Sequence, residues 1–206
     1  MFIQEAMLEG IVSYASLAKR LKPDVERELG RVVKGHAIVM ALKRYAEDLK
    51  KVYKRIKFDR RADITLKTHL CEVTVLKTPS IISKLGRLYD LVNLEDRFLP
   101  SVIEGENEIS ILVKDKYRDR LLKILEGEKV LNVEKNLISL TISCPKDYKY
   151  TPGVVLNVAR SLAWENINIY KITSTDTELT VLLNERDAVR GYRALERLLS
   201  GENQLG

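Results

Sequence analysis

The sequence predicts an α+β protein, with an all-α, helix-turn-helix-like domain followed by two tandem ferredoxin-like βαββαβ units. Two observations lead to this fold class. Apolar residues recur at helical spacing through the first 57 residues, whereas strand and helix patterns alternate from about residue 64 onward. In addition, the apolar strand at 109–113 and the amphipathic helix after it recur 70 residues later, which indicates an internal duplication. The expected domains are 1–61, 62–135 and 136–206.

The N-terminal domain is expected to contain several short helices and one long helix. Ser13 is a candidate N-cap, and the Lys22-Pro23 pair is expected to end the helix that Ser13 begins, because proline disfavours helical geometry in the preceding residue. Gly30 is expected to close the next helix. The predicted helices are 14–21, 24–29 and 36–55.

Both later units are expected to contain the same succession of elements. In the first unit these are strand 64–76, helix 79–92, strands 98–103 and 108–113, helix 116–125 and a closing strand at 130–135. In the second unit they are strand 137–144, helix 152–165, strands 167–172 and 179–183, and helix 186–199. A unit of roughly 70 residues has a small core, so we expect paired sheets or a homodimer to complete its burial.

The positive charge of the chain is concentrated in the first domain. Residues 1–61 carry 15 Lys and Arg against 8 Asp and Glu, whereas the remaining residues carry 20 against 21. A basic module attracts phosphate backbones, but a lysine-rich helical segment can also be an ordinary solvated surface. The candidate contacts to double-stranded DNA are Lys19, Arg20, Lys43, Arg44, Lys50 and Lys51.

Several classes of protein are not favoured by the sequence. No apolar run is long enough to cross a bilayer, no secretory signal pattern is present, and two cysteines cannot form a disulfide framework, so we expect a cytoplasmic protein. There is no glycine-rich phosphate loop, paired carboxylate set or catalytic triad, so we expect a non-enzyme without a cofactor. His69 and Cys71 would share one face of a strand, but no further ligand lies at zinc spacing, and no metal is expected.

Residues 137–199 resemble an ACT domain, the small regulatory module best known from aspartate kinases. The resemblance is carried by strand 137–144, by Thr151-Pro152-Gly153-Val154 at a helix start, and by Ile167-Asn168-Ile169 before a serine-containing turn. Residues 64–135 resemble a degenerate copy, in which Thr78-Pro79-Ser80 lacks the glycine. The second copy has Glu165-Asn166 where many relatives have Ala-Gly, and asparagine tolerates the left-handed conformation needed there.

The resemblance implies an amino-acid effector held between two such units. The implied ligand-binding residues are Asp147, Thr151, Gly153, Val154, Asn168 and Ile169. The residues themselves agree in part, because Pro152 suits a first helical position and the free amides of a helix start favour a carboxylate. Asp147 would receive the α-amino group. The alternative is a helix that begins with Pro-Gly and binds nothing, in a module that serves only assembly.

These observations predict an amino-acid-sensing transcriptional regulator in which effector binding reorients basic helical domains in a homodimer. The alternative is an allosteric regulatory subunit of an amino-acid metabolic enzyme that never contacts DNA. An uncharacterised enzyme with its site between the two copies is the third interpretation.

Overall fold

The computed structural model describes residues 2–52, 63–91, 100–145 and 148–200, and the chain divides into two compact units, 1–55 and 56–206. In the described part of the first unit, helices α1, α2 and α3 span Phe2–Leu8, Tyr14–Leu29 and Gly35–Val52. Met7, Leu17 and Ala46 form a small buried core among them. No helix of the described residues is long and apolar enough to cross a membrane.

The predicted helix break at Pro23 is wrong, because helix α2 continues through the proline to Leu29. Both predicted ends of this region are confirmed: the Ser13 hydroxyl accepts the amide of Ser16 at 3.3 Å, and Gly30 has a left-handed φ of 63°. Proline removes one helical hydrogen bond. Ion pairs Lys22–Glu26 and Asp24–Arg27 flank the site and support the helix there.

The second unit is built on one six-stranded antiparallel sheet with the order β2-β3-β1-β4-β6-β5. Its elements in chain order are β1 (Ile64–Leu76), α4 (Pro79–Leu85), β2 (Ser101–Glu104), β3 (Glu108–Lys114), α5 (Arg118–Ile124), β4 (Val130–Ser143), α6 (Val154–Trp164), β5 (Lys171–Ser174), β6 (Glu178–Asn184) and α7 (Ala188–Ser200). Short 3-10 turns precede α5, α6 and α7.

The hydrogen-bond register repeats between the two parts of the sheet. We call 70–135 the first half and 137–200 the second half. In the pairing of β1 with β3, Leu70 lies opposite Lys114 at one end and Leu76 lies opposite Glu108 at the other. In the pairing of β4 with β6, Leu137 lies opposite Asn184 and Ser143 lies opposite Glu178. The outer strands repeat this arrangement, because β2 pairs with β3 in the same way as β5 pairs with β6. Leu70 is therefore equivalent to Leu137, and Lys114 is equivalent to Asn184.

The two central strands pass through both halves, which differs from the separate strands predicted at 130–135 and 137–144. Strand β4 is continuous, and Ile64–Lys67 at the start of β1 pairs with β4 in the second half. Register shifts occur near the middle of both strands, where His69 has φ 57° and Asn136 has φ 55°. We call these two positions the β1 bulge and the β4 bulge. The additional residue in each strand reverses the alternation of its side chains.

Each half has its own core between the sheet and its helices. The first core includes Val73, Ile111 and Leu121, and the second includes Leu140, Val158 and Leu183, all with no exposed surface. On the opposite face, Leu70, Leu137 and Leu182 form a smaller cluster at the junction of the halves. An ion pair of 2.5 Å between Lys171 and Glu72 also joins the two halves.

Three other predicted elements differ from the structure. The strand predicted at 167–172 is replaced by β5 at Lys171–Ser174, because the amide of Ile167 bonds to the carbonyl of Leu162 at the end of α6. Asn166 has φ 53°, as expected for the left-handed position after a helix. The helix predicted at 79–92 is α4 followed by a 3-10 turn to Leu91. Residues 53–55, the end of the predicted long helix, and the start of predicted strand 98–103 lie outside the described residues.

Candidate functional site

Helix α6 begins at the Thr-Pro-Gly segment that the sequence singled out, and we call Thr151–Val154 the α6 start. A 3-10 turn at Tyr148–Tyr150 leads into it, and the amide of Thr151 bonds to the carbonyl of Tyr148 at 2.9 Å. Tyr148 is buried in the second core, and its hydroxyl donates to the carbonyls of Thr175 and Glu178. The 3-10 turn at Tyr148–Tyr150 is thereby joined to the turn between β5 and β6.

Gly153 is the N-cap of α6 and has a φ of 91°. A left-handed backbone at this position favours glycine, because a Cβ would be strained there. Because the N-cap residue is glycine, it has no side chain of its own to cap this helix end. The first amides of an α-helix have no intrahelical acceptor and carry partial positive charge, so the α6 start can receive a carboxylate.

The structure brings three of the six predicted ligand-binding residues together. Thr151 and Gly153 are half-buried, and Val154 is buried with its side chain in the second core. Asn168 is exposed and Ile169 packs against the same core, both on the segment between α6 and β5. Asp147, the predicted partner of an α-amino group, lies outside the described residues.

The equivalent helix start in the first half, Thr78–Ile81, is already filled, and we call it the α4 start. The Thr78 hydroxyl accepts the amide of Ile81 at 3.3 Å and donates to Glu128 Oε2 at 2.9 Å. The Ser80 hydroxyl donates to the same oxygen at 3.1 Å. The chain therefore places one of its own carboxylates at this helix N-terminus.

Glu128 is held there by a cation as well as by the hydroxyls. Lys84 Nζ lies 2.7 Å from Glu128 Oε1, and only 3% of the Glu128 side chain is exposed. The hydrogen bond with Lys84, followed by that with Thr78, lowers the pKa of the Glu128 carboxyl below its ordinary value. Glu128 is thus ionised at neutral pH and serves as an internal ligand of the α4 start.

The role of Glu128 was missed by the sequence reasoning. The only sequence signal was an acidic residue directly after Gly127, in the turn that follows α5. This turn has no counterpart in the second half, because α7 is 13 residues long whereas α5 has seven. The longer α7 continues through the position that Glu128 occupies in the first half.

The predicted nucleic-acid contacts lie on two helices. Lys19 and Arg20 are exposed on α2, and Lys43, Arg44 and Lys50 are exposed on α3. Lys51 belongs to α3, but its side chain lies outside the described surface. Acidic Glu47 and Asp48 are exposed on the same helix, so the positive charge is interrupted.

The expectation that His69 and Cys71 share a face is wrong. The β1 bulge lies at His69, whose side chain is 75% exposed, whereas Cys71 is fully buried in the first core. The bulge reverses the side-chain alternation between the two residues. Among the described residues, no group of three or more potential metal ligands is found.

No protein-family model and no curated protein sequence matches this chain. Its fold is similar to that of structures of aspartokinase α and β subunits, with 19% identity, a TM-score of 0.55, and coverage of 66% of this chain and 97% of that chain. It is also similar to the ligand-free regulatory subunit of aspartate kinase from Thermus thermophilus, with 17% identity, a TM-score of 0.52, and coverage of 66% and 96%. A third similar structure is described as a putative C-terminal regulatory domain of aspartate kinase from Porphyromonas gingivalis W83. It has 15% identity and a TM-score of 0.52, and the match covers 68% of this chain and 99% of that chain.

These similarities establish an α+β fold of the kind found in regulatory parts of aspartate kinases. They agree with the ACT-domain resemblance that the sequence suggested. At such identities they concern the fold, and they give no support to DNA binding.

Proposed function

We propose that this protein is a non-catalytic allosteric regulatory subunit that senses a free amino acid through two tandem ACT units, 62–135 and 136–206. The observation that carries the proposal is the contrast between the two helix starts. Glu128 occupies the α4 start as a carboxylate, whereas the N-cap of α6 is a left-handed glycine, which has no side chain to cap the helix. An effector carboxylate would occupy at α6 the place that Glu128 occupies at α4.

In this proposal, different residues of the second unit bind different groups of the effector. The first-turn amides of α6 bind the carboxylate, Gly153 allows its close approach, and Asp147 accepts the α-amino group. Thr151 lies at the rim, Val154 contributes its backbone amide, and the backbone of Asn168 and Ile169 contacts the effector. Tyr148, whose hydroxyl bonds to the β5–β6 turn, connects the α6 start to the adjacent strands.

The partner is proposed to be an enzyme of amino-acid metabolism, on which this chain would act as a homodimer. The basic helical domain, 1–61, would dock onto an acidic surface of that enzyme. Ion pairs at an interface govern association rate and salt dependence more than affinity. A regulatory dimer needs differential affinity of the effector for two arrangements of its units, and the Glu72–Lys171 ion pair lies at their junction.

DNA binding by the same helical domain is the second candidate, and the five exposed cations on α2 and α3 favour it. Fluorescence anisotropy with a duplex oligonucleotide at low salt separates the two. If the wild-type protein binds the duplex saturably and the Lys43→Glu, Lys50→Glu double variant does not, the transcriptional interpretation is supported. No binding of the wild-type protein would leave enzyme docking as the role of this domain.

The amino-acid site is tested by isothermal titration calorimetry of the full chain with each of the twenty amino acids. We expect saturable binding of one or a few, and its loss in Gly153→Val, because a branched side chain at the N-cap blocks the amides. Gly127→Val is the matched control, since Gly127 also has a left-handed φ, of 85°, and lies outside the α6 start. Silence across the panel, or equal loss in both variants, would overturn the proposal.

A further inference from the structure

Helix α6 is apolar on its outer side as well as on the side that packs into the second core. Val154, Val158 and Leu162 are buried in that core. Five of the other residues are also apolar, and Arg160 is the only charged residue of the eleven. We call these five the α6 outer face: Val155, Leu156, Ala159, Ala163 and Trp164. A helix that is apolar on all sides is ordinarily covered on all sides.

The chain itself leaves most of the α6 outer face open to solvent. Trp164 is 80% exposed and Val155 is 46% exposed, and Leu156 and Ala163 are exposed as well. Trp164 is the only tryptophan in the sequence. Tryptophan is enriched at the energetic centres of protein interfaces, because its ring buries a large apolar area. An exposed tryptophan beside exposed aliphatic side chains therefore indicates an interface.

Helix α4 of the first half shows that the fold does not require such a face. Counted from the Thr-Pro pair that begins each helix, Ile82 and Ser83 are equivalent to Val155 and Leu156. The Ser83 hydroxyl donates to the carbonyl of Ser80 at 2.8 Å, so this part of α4 is polar. Helix α4 ends after seven residues, whereas α6 has eleven. The alanines and the tryptophan of the outer face lie in the part of α6 that α4 lacks.

Polar groups border the α6 outer face where the helix ends. The Glu165 carbonyl accepts Arg190 Nη1 at 3.2 Å, and the Glu165 carboxylate forms an ion pair with Arg197. Stable interfaces have this composition, with an apolar centre, a polar rim, and few lysines or carboxylates at the centre. Interfaces of permanent homodimers are more apolar than those of transient complexes. The α6 sequence, which contains neither a lysine nor a carboxylate, therefore favours a permanent homodimer.

The α6 outer face also maps onto itself when the direction of the helix is reversed. Reversal about the point between residues 159 and 160 exchanges Val155 with Trp164. The same reversal exchanges Leu156 with Ala163. A two-fold axis requires this symmetry, because residue i of each copy contacts residue j of the other. Both exchanges set a larger side chain against a smaller one, as the interdigitation of packed helices requires.

We propose that the α6 outer face is the homodimer interface of this protein, with α6 packed antiparallel against α6 of a second copy of this chain. The helices cross at Ala159, where a small side chain permits close approach, and Trp164 packs against Val155 of the second copy. This interface rests on the homodimer of the proposed function and specifies its surface. It forms without any amino acid, so it is measured separately from effector binding.

The test is sedimentation equilibrium of the full chain in the absence of amino acids. The test variant is Val155→Glu, which places a carboxylate in the interface. Ile82→Glu is the matched control, because it makes the same kind of change at the equivalent position of α4, where the side chain is 55% exposed. Circular dichroism shows whether each variant retains the wild-type fold.

We expect the wild-type protein to be a dimer, and Val155→Glu to raise the dissociation constant about a hundredfold or more, because an unpaired charge would be buried. Ile82→Glu should stay within about twofold of the wild type. The fluorescence of the wild-type protein provides a second measurement. The emission maximum of Trp164 should move to shorter wavelength as the protein concentration rises, because the indole ring leaves water on association.

A double variant with Val155→Glu and Trp164→Lys in one chain tests the antiparallel arrangement. Opposite charges then face each other at both ends of the crossing, so this variant should dimerise about tenfold more tightly than Val155→Glu alone. No gain in affinity would overturn the antiparallel arrangement. A wild-type dimer that Val155→Glu does not weaken would overturn the interface but not the homodimer, whereas a monomeric wild-type protein would overturn both. Loss of amino-acid binding alone would contradict the proposed function and not the interface.

Discussion

The α4 start and the α6 start occupy equivalent places in a duplicated fold, but they differ in the residues found at the helix N-terminus. At α4, two hydroxyls and Lys84 hold the Glu128 carboxylate against the helix N-terminus. At α6, a left-handed glycine forms the N-cap and has no side chain to cap the helix. The two halves share one hydrogen-bond register but differ in the residues at their helix starts.

The same comparison extends to the junction between the halves. Leu70 and Leu137 are equivalent residues, and both are fully buried in the cluster at the junction. Strands β1 and β4 each contribute to both halves, so the sheet forms a single hydrogen-bonded structure. The halves therefore differ at their helix starts while they share their central strands.

The largest expected effect comes from truncating the shared cluster. Leu70→Ala and Leu137→Ala should each lower the free energy of unfolding by about 2–5 kcal/mol, because each leaves a cavity among fully buried side chains. Urea denaturation followed by circular dichroism should give one transition for both variants. Val189→Ala, at a 65% exposed position, is the control and should be close to neutral. Two separated transitions would show that the halves unfold independently.

A smaller effect is expected where helix α7 crosses the sheet at Gly191, the counterpart of buried Leu121 in the first half. A Cβ at Gly191 would lie 2.8 Å from Leu183 Cδ1 and 3.2 Å from Leu140 Cδ1. Gly191→Leu, which copies the first half, should therefore destabilise the protein by about 1–3 kcal/mol through overpacking.

Gly86→Leu serves as the control for Gly191→Leu, because a Cβ at Gly86 meets no atom within 4 Å. Thermal unfolding followed by circular dichroism gives the stability of both variants. A Gly191→Leu variant as stable as the control would mean that α7 can shift from the sheet as readily as α5, and the two halves would then be packed alike.

The third effect concerns pH and the closed α4 start. Because the pKa of Glu128 is lowered in the folded protein, its carboxylate stabilises the fold at pH values above the ordinary glutamate pKa of about 4.3, and this contribution is lost as the pH falls through the lower folded value. Glu128→Gln should therefore unfold at a lower temperature than the wild type at pH 7. The difference should shrink in acid.

Glu126→Gln, at an exposed neighbouring position, is the matched control for this pH dependence. It should leave the melting temperature nearly unchanged at either pH. If both glutamine variants behave alike at pH 7, Glu128 does not fill the α4 start in solution.

The sequence predicted the elements of the fold well where local chemistry determines them. Ser13, Gly30 and Asn166 adopt the capping conformations that their residue types favour. The continuation of α2 through Pro23 was not predicted, because a proline within a helix is tolerated when packing and ion pairs on both sides support it. The continuity of β4 depends on pairing with β1 over both halves, which no local pattern reveals.

The candidate site was predictable only in part. Thr-Pro-Gly at a helix start is a local signal, and the structure places Gly153 at the N-cap in a left-handed conformation. The hydrogen bonds of Glu128 with Thr78 and Ser80 join residues 50 and 48 positions apart, so they could be found only in three dimensions.

Amide chemical shifts of the isotopically labelled full chain test the contrast between the two helix starts most directly. Titration with the amino acid found by calorimetry, or with a mixture of all twenty, should shift the amide resonances of Val155 and Leu156 in a saturable way. The resonances of Ser80 and Ile81 should remain in place, since Glu128 already occupies that end. Unmoved α6 resonances, or equal shifts at both helix starts, would contradict the account.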